Sequence, residues 1–336
     1  MKITESTLSL LGNTPLKRLT RVTDGAKANV LVKCEYFNPS GSIKDRMALR
    51  MIEEAEKESK LKRGGTIVDQ TSGNTGPALS FVGNVKGYNV RLFIPSEWVG
   101  SYNPENRIKT MRFFGAEVEG FTNAGYDAIL RRLKPGEESA ASVIIGMKKC
   151  YDFERSEPRA WWANQSCNPN NTLAHRDGTG REILEQTDGR VDACVASIGT
   201  GGTLLGIAEA LRKEVPDVRM VGLVPEDALI TDWVKNHLFD GFFEELGMPR
   251  YRFLIETMFD RGLPDEVIKV NDEDARNMAN RLCREEGLFC GMSSGANVFA
   301  AVQLAKKMRE GDNIVTILVD RRDRYFLEYP REHYVI

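Results

Sequence analysis

The sequence predicts an α/β protein of two domains, each a mainly parallel, twisted sheet flanked by helices. Three observations predict it. Short β-rich runs alternate with helix-periodic runs along most of the chain, the pattern of βαβ units. The 336 residues suffice for about two domains at roughly 150 residues each. No repeat period or low-complexity segment breaks the alternation. The division is expected at 1–155 and 156–336, with the first strands free to join the second domain's sheet.

In order, NVLVKCE (29–35) reads as a strand and SIKDRMALRMIEEAEKESK (42–60) as a helix, with Met47, Met51, Ile52 and Ala55 on one buried face. TIVDQ (66–70) is a strand. A Gly-rich turn follows, then PALSFVGNVKG as a helix. NVRLFIP (89–95) is a strand, NPENRIKTMRFFG (103–115) a helix stopped by Gly115, and AEVEGF (116–121) a strand. AGYDAILRRLK is expected to be helical up to Pro135 and Gly136. In the second half, TGREILEQTDG, LLGIAEALRKEVP, EDARNMANRLCREEG (273–287) and GANVFAAVQLAKKM read as helices. DACVASI (192–198), RMVGLVP (219–225) and NIVTILVD (313–320) read as strands. The stretch 226–265 is irregular, aromatic and charged, and its elements are not assigned.

Composition narrows the function classes. A net charge of −2 gives no basic surface for nucleic acid or an anionic membrane. No apolar run reaches membrane-spanning length. The N-terminus is broken by Thr4, Glu5, Ser6 and Gly12, unlike a signal peptide, so a cytoplasmic location is expected. The six cysteines form no CxxC pair and read as reduced, mostly buried thiols. The three histidines are far apart and near no cysteine cluster, so no metal site is expected.

Four segments carry chemistry. Gly199-Thr200-Gly201-Gly202-Thr203 lies between a buried strand and a helix start. Glycines let the backbone approach an anion, and the free N–H groups of the helix start favour a phosphate. The pattern is neither GxGxxG nor a P-loop, so a phosphate is suggested without a dinucleotide or ATP. The alternative is a tight turn with packing glycines. Thr71-Ser72-Gly73-Asn74-Thr75-Gly76 has the same context but is dense in hydroxyls and an amide, which can surround a carboxylate. The alternative is a well-capped helix, yet a cap needs one such residue and this turn has four.

In Asn38-Pro39-Ser40-Gly41-Ser42-Ile43-Lys44-Asp45-Arg46, Ser42 reads as an N-cap. Lys44 then sits at the positive end of a helix, where its pKa should fall and its amine become a better nucleophile toward an aldehyde. From that motif alone, a solvated surface lysine remains the default. Lys33 is the other lysine to consider, but its strand position explains it adequately. Cys290-Gly291-Met292-Ser293-Ser294-Gly295-Ala296 also opens onto a helix, as a site or as a capped turn. In open α/β sheets such loops gather at the carboxyl ends of strands, where ligands bind. A phosphate-bearing aldehyde cofactor would use all four.

NPSGSIKDR, TSGNTG, GTGGT and GMSSGA, in this order, resemble the cysteine synthase and cystathionine β-synthase family, over 11 to about 325 and weakly over 226–265. The resemblance implies a fold-type II pyridoxal-phosphate (PLP) enzyme, tryptophan synthase β-like. It implies that Lys44 forms the internal aldimine with pyridoxal 5'-phosphate and moves the Cα proton, and that Asn74 bonds the ring hydroxyl. It places the phosphate on Gly199, Thr200, Gly201, Gly202 and Thr203, and Ser293 against the ring nitrogen. Thr71, Ser72, Gly73, Thr75 and Gln165 would hold the substrate carboxylate. The implied activity is β-replacement on a serine-type amino acid through an aminoacrylate. The leading form is cysteine synthase, from O-acetylserine and sulfide. Cystathionine synthesis, use of O-phosphoserine, a lyase releasing sulfide from cysteine and a serine/threonine dehydratase are the alternatives. A non-catalytic binding module is the third class, opposed by an intact Lys44, Asn74 and phosphate loop.

A serine at the ring nitrogen cannot hold it protonated as a carboxylate would, which favours loss of a β-group over transamination. The partners implied are a small amino acid, a thiol or sulfide nucleophile and a second copy of the chain, with no nucleic acid or membrane. Three departures stand out. Ser166 replaces the family's aromatic after Gln165. The usual GIGxGFIP reads Thr257-Met258-Phe259-Asp260-Arg261-Gly262-Leu263-Pro264. The tail DRRDRY (320–325) is that of specialised members. Arg261 is expected either to greet an anionic group or to pair with Asp260 or Glu256. The regulatory and heme-binding modules of longer relatives are not expected within this sequence.

Overall fold

The computed structural model describes residues 3–96, 105–133, 138–226 and 239–325. In chain order the strands are β1 (Leu16–Arg18), β2 (Asn29–Cys34), β3 (Thr66–Gln70), β4 (Asn89–Pro95), β5 (Glu117–Phe121), β6 (Ala160–Trp162), β7 (Ala193–Ser197), β8 (Arg219–Pro225), β9 (Glu266–Val270) and β10 (Asn313–Leu318). The α-helices are α1 (Lys44–Lys57), α2 (Thr75–Val85), α3 (Glu105–Phe113), α4 (Asp127–Leu130), α5 (Glu138–Ser156), α6 (Pro169–Ala174), α7 (Arg181–Thr187), α8 (Gly202–Glu214), α9 (Asp240–Glu245), α10 (Leu254–Asp260), α11 (Asp272–Glu286) and α12 (Met292–Ala305).

The fold class is the expected one: α/β, with two mainly parallel sheets flanked by helices. The chain divides into two compact units. Met1–Met47, Pro169–Ala228 and Thr257–Asp323 form the first, and Ala48–Asn168, Leu229–Glu256 and Arg324–Ile336 the second. The first unit holds a six-stranded sheet in the order β1-β2-β10-β7-β8-β9, antiparallel only between β1 and β2. The second holds a four-stranded, all-parallel sheet, β5-β4-β3-β6.

Strands buried on both faces read as continuous apolar runs. β7 and β10 do so, and on one face Val195 of β7 and Ile314 of β10 share a core with Val30 and Val32 of β2 and with Leu282, Val298 and Val302 of α11 and α12. The helix boundaries follow local chemistry. Asn271 caps α11 by accepting from the Asp274 N–H at 2.8 Å, and Gly287, at φ +70°, closes it. At Gly295 of α12 an added Cβ would lie 2.1 Å from the Ala275 carbonyl oxygen, so a glycine there lets α12 lie directly on α11.

Two expectations need correction. The helix expected over AGYDAILRRLK is only α4. After Leu130 the chain turns by i→i+3 bonds, Arg132 N–H to Ile129 and Leu133 N–H to Leu130, while the Arg132 side chain is drawn to Glu245 at 3.0 Å. The end of that segment, 134–137, lies outside the described residues, as does 227–238 of the unassigned stretch. The 19-residue α5, unassigned from sequence, packs on β3 and β4 with Ala140, Ala141, Ile144 and Ile145 fully buried.

Candidate active site

In the first unit the site is organised by the three residues after β10. The Ile43 N–H donates to the Val319 carbonyl at 2.9 Å, Ser42 bridges Asp320, and the Arg321 N–H donates to Gly41 at 3.1 Å. On the other side, Gly291 N–H donates to the Asp320 carbonyl at 3.0 Å, and the Val319 N–H donates to the Ser294 hydroxyl at 2.8 Å. The loop bearing Lys44 and the helix start bearing Ser293 are thus stitched to opposite edges of one strand end. Ser294 is buried and structural, while Ser293 is half-buried in the first turn of α12.

Ser42 caps α1 as expected, its hydroxyl accepting from the Lys44 N–H at 3.3 Å. Asp45 turns back to Ser40, accepting from its N–H at 2.6 Å and from its hydroxyl. Lys44 is half-buried, and among the described residues no hydrogen bond or ion pair reaches its Nζ. Burial pushes its pKa down to about 8. The lowering expected from the helix end is therefore present, but its cause is desolvation. Lys33 is the contrast. It is fully buried, and its three donors are taken by the Thr14 carbonyl at 2.6 Å, Gln186 at 2.8 Å and Glu182 at 2.7 Å. An ammonium has three N–H groups, so Lys33 has no amine to offer. Arg46 completes this network with ion pairs to Glu35 at 2.6 Å and Glu182 at 2.7 Å.

β7 runs into the 199–203 loop. Gly201 has φ +89°, a backbone open to glycine. A Cβ on Gly202 would sit 2.5 Å from Asn171 Oδ1, whereas one on Gly199 would meet nothing within 4 Å. The loop is packed on one side and leaves a space above Gly199. The first N–H groups of α8 have no intrahelical partners, so the start of this 13-residue helix suits an anion. Two hydroxyls are held in the loop: Thr200 accepts from the Asn171 amide at 3.1 Å, and Thr203 lies 3.2 Å from His175 Nε2. His175 is fully buried on a single turn of π-helix (His175–Gly180), with Nδ1 3.0 Å from the Thr179 hydroxyl. Burial, then the charges of Lys44 and Arg46, hold its pKa well below the usual imidazole value, so it is neutral. Sequence reasoning missed Asn171 and His175. Their only signal was their place in the polar run after Gln165.

In the second unit the 71–76 turn follows β3. The Thr71 hydroxyl accepts from the Gly73 N–H at 3.1 Å, and Thr75 donates to Gln165 Oε1 at 2.5 Å. Gln165 is fixed at two further points, its Nε2 donating to the Gln70 carbonyl at 3.1 Å and its N–H to Asp69 at 3.3 Å. Asp69 also accepts from Trp162 Nε1 at 3.2 Å, and burial raises its pKa to about 7. Thr71, Ser72, Gly73, Thr75 and Gln165 are thus brought together despite Ser166 in place of the aromatic. The well-capped-helix alternative fails at Asn74. It occupies the N-cap position of α2, yet its side chain makes no capping bond, and its Oδ1 accepts from Arg324 Nη1 at 2.8 Å.

Arg261 pairs with Glu209 of α8, not with Asp260 or Glu256. Burial raises the thiol pKa of Cys34 to about 11 and of Cys194 and Cys290 to about 12, which removes them as nucleophiles. Among the described residues no group of three or more His, Cys, Asp or Glu could hold a metal, and no helix is long and apolar enough to cross a membrane.

The family described as "Pyridoxal-phosphate dependent enzyme" matches residues 7–320. The cystathionine beta-synthase of Rattus norvegicus is 37% identical over 338 aligned positions, which cover all of this chain and 57% of that protein. The chain thus spans under two thirds of the length of that relative. The crystal structure of a cysteine synthase from Entamoeba histolytica aligns with a TM-score of 0.78 at 31% identity, over 96% of this chain and 89% of that one. That of an O-acetylserine-dependent cystathionine beta-synthase from Helicobacter pylori aligns with a TM-score of 0.80 at 26% identity, over 97% and 98%. A free, desolvated amine and a glycine loop at the ends of the neighbouring parallel strands β10 and β7, and matches over nearly the whole chain, agree: the protein belongs to the cysteine synthase and cystathionine β-synthase family of pyridoxal-phosphate-dependent enzymes.

Proposed function

We propose that the chain replaces the β-substituent of a serine-type amino acid with a sulfur nucleophile, in the first place making cysteine from O-acetylserine and sulfide. The observation that carries the reading is Lys44. Its Nζ is desolvated and meets no carboxylate, and it lies at the end of β10 while the glycine loop follows the end of the neighbouring parallel strand β7. When bound, the cofactor supplies an electron sink for negative charge at the substrate Cα. Lys44 Nζ holds it and moves the Cα proton. The loop fits a phosphate through the open space above Gly199 and the free N–H groups of α8, with the hydroxyls of Thr200 and Thr203 adding donors. Ser293 faces the ring nitrogen and Asn74 the ring oxygen. Thr71, Ser72, Gly73, Thr75 and Gln165 hold the substrate carboxylate. We place the enzyme in the cytoplasm and assign it a homodimeric state by analogy with relatives.

Cystathionine formation is the second reading, favoured by the cystathionine beta-synthases among the relatives at 34–37% identity. The first test is colour. Cofactor-loaded protein is expected to be yellow and the Lys44→Ala variant to lose the band; a band that survives unchanged refutes the assignment. Titrating the yellow band with serine, O-acetylserine and O-phosphoserine then identifies the donor. Assays of each product with sulfide or homocysteine identify the acceptor. Release of keto acid with no sulfur product would instead make the chain a dehydratase.

A further inference from the structure

Asn74 is an asparagine at a helix N-cap that does not cap. Asparagine is favoured at that position because its oxygen accepts a backbone N–H of the first turn. Here that oxygen accepts from the Arg324 guanidinium at 2.8 Å, across 250 residues of sequence. The donor is well anchored. Arg324 is 7% exposed, and its neighbour Tyr325, 4% exposed, lies under the Arg107 guanidinium at 5.1 Å.

The chemistry of this contact sets the direction of the amide. A guanidinium carries donors only, so it fixes the amide oxygen on its own side. The NH2 group must then point the other way, and it can only donate. A rotated amide would set donor against donor at Arg324. An asparagine without such a partner can present either end to a ligand. This one presents N–H groups, backed by a permanent positive charge, since arginine stays ionised at any working pH.

We infer that Arg324 is a positioning residue for the cofactor: it turns the Asn74 amide to donate to the ring oxygen and, acting through it, favours that oxygen in its ionised form. The inference rests on the assignment of Asn74 to the ring oxygen made above, and extends it to a residue that does not itself touch the cofactor.

The readout is spectroscopic. In cofactor-loaded protein the form with an ionised ring oxygen gives the yellow band, and the form with a protonated ring oxygen absorbs in the near ultraviolet. Arg324→Gln removes the charge and is expected to lower the yellow-to-ultraviolet ratio about tenfold at fixed pH, equivalent to about one pKa unit. Arg324→Lys keeps the charge but not the planar fork, and is expected to give a smaller fall. In an Asn74→Ala background, Arg324→Gln is expected to add nothing, because the effect passes through the amide. An unchanged ratio in Arg324→Gln, or a full additional effect without Asn74, overturns the inference. If Arg324→Gln does not hold its fold, the lysine variant decides, and a wild-type ratio there overturns it. Failure is distinguishable from failure of the functional reading, because Lys44→Ala abolishes the yellow band altogether in that reading, whereas Arg324 changes only its balance.

Discussion

A lysine amine attacks an aldehyde only when neutral, so in the proposed role of Lys44 its pKa sets the pH at which the protein takes up its cofactor. Burial lowers it to about 8. At pH 7 roughly one molecule in ten then carries a neutral amine, against fewer than one in a thousand for an unperturbed lysine. The sign follows: the reactive form is lost below about pH 8 and complete above it. The rate at which apo-protein turns yellow on adding cofactor should climb with pH and level off near 8 to 9. A rate still climbing beyond pH 10 would show an unperturbed amine. The residue scale also shows how far sequence could go. Lys44 stood out from Lys33 by its helix-start position, but what separates them is the filled donor set of Lys33, drawn from residues 14, 182 and 186. His175 was set aside as a metal ligand. Its contact with Thr203 depends on the packing of the π-turn beside α8, which no local spacing announces.

At the scale of elements, the strand–helix alternation was legible because buried parallel strands are apolar runs ended by glycine turns. The helix α5 was not, although its apolar residues have helical spacing. Gly146 in its middle reads as a breaker. In the fold it is a clearance, since a Cβ there would lie 2.5 Å from Gln70 Oε1. Gly295 in α12 plays the same part against α11, and it gives a clean test. Gly295→Ala pushes a methyl group into the Ala275 carbonyl, an obstacle that only a shift of one helix can relieve. Overpacking of this kind costs about 1–3 kcal/mol. The urea midpoint should fall accordingly, even though alanine is the better helix former. A midpoint equal to or above wild type would show that α11 and α12 have room to separate.

At the scale of the whole molecule, strand order carries the information that sequence pattern lacks. β2 pairs along its full length with β10, nearly the whole chain away, and only tertiary packing decides that neighbour. The network of Lys33, Glu35, Arg46 and Glu182 has the same reach, tying β2 and α1 to α7. Arg46 and Lys33 hold the Glu182 carboxyl at a pKa of about 2, against a desolvation that acts the other way. A carboxyl depressed in the folded state stabilises the fold at pH values above its unfolded value near 4.5, and that contribution is lost as pH falls toward 2. Glu182→Ala leaves two buried cations short of a partner and is expected to cost about 3–5 kcal/mol in urea unfolding at neutral pH. It should also flatten the acid limb of the stability profile. A variant within about 0.5 kcal/mol of wild type would show the network to be dispensable.

The main chain of segment 319–321 is gripped by Gly41 and Ile43 on one flank and by Gly291 and the Ser294 hydroxyl on the other. Peptide groups are the same whatever side chain they carry. The side chain of Arg321 can therefore change while the main-chain grip keeps Lys44 and Ser293 at a fixed spacing. What that strip cannot tolerate is a change of length: one residue more or fewer would slide one anchor past the other.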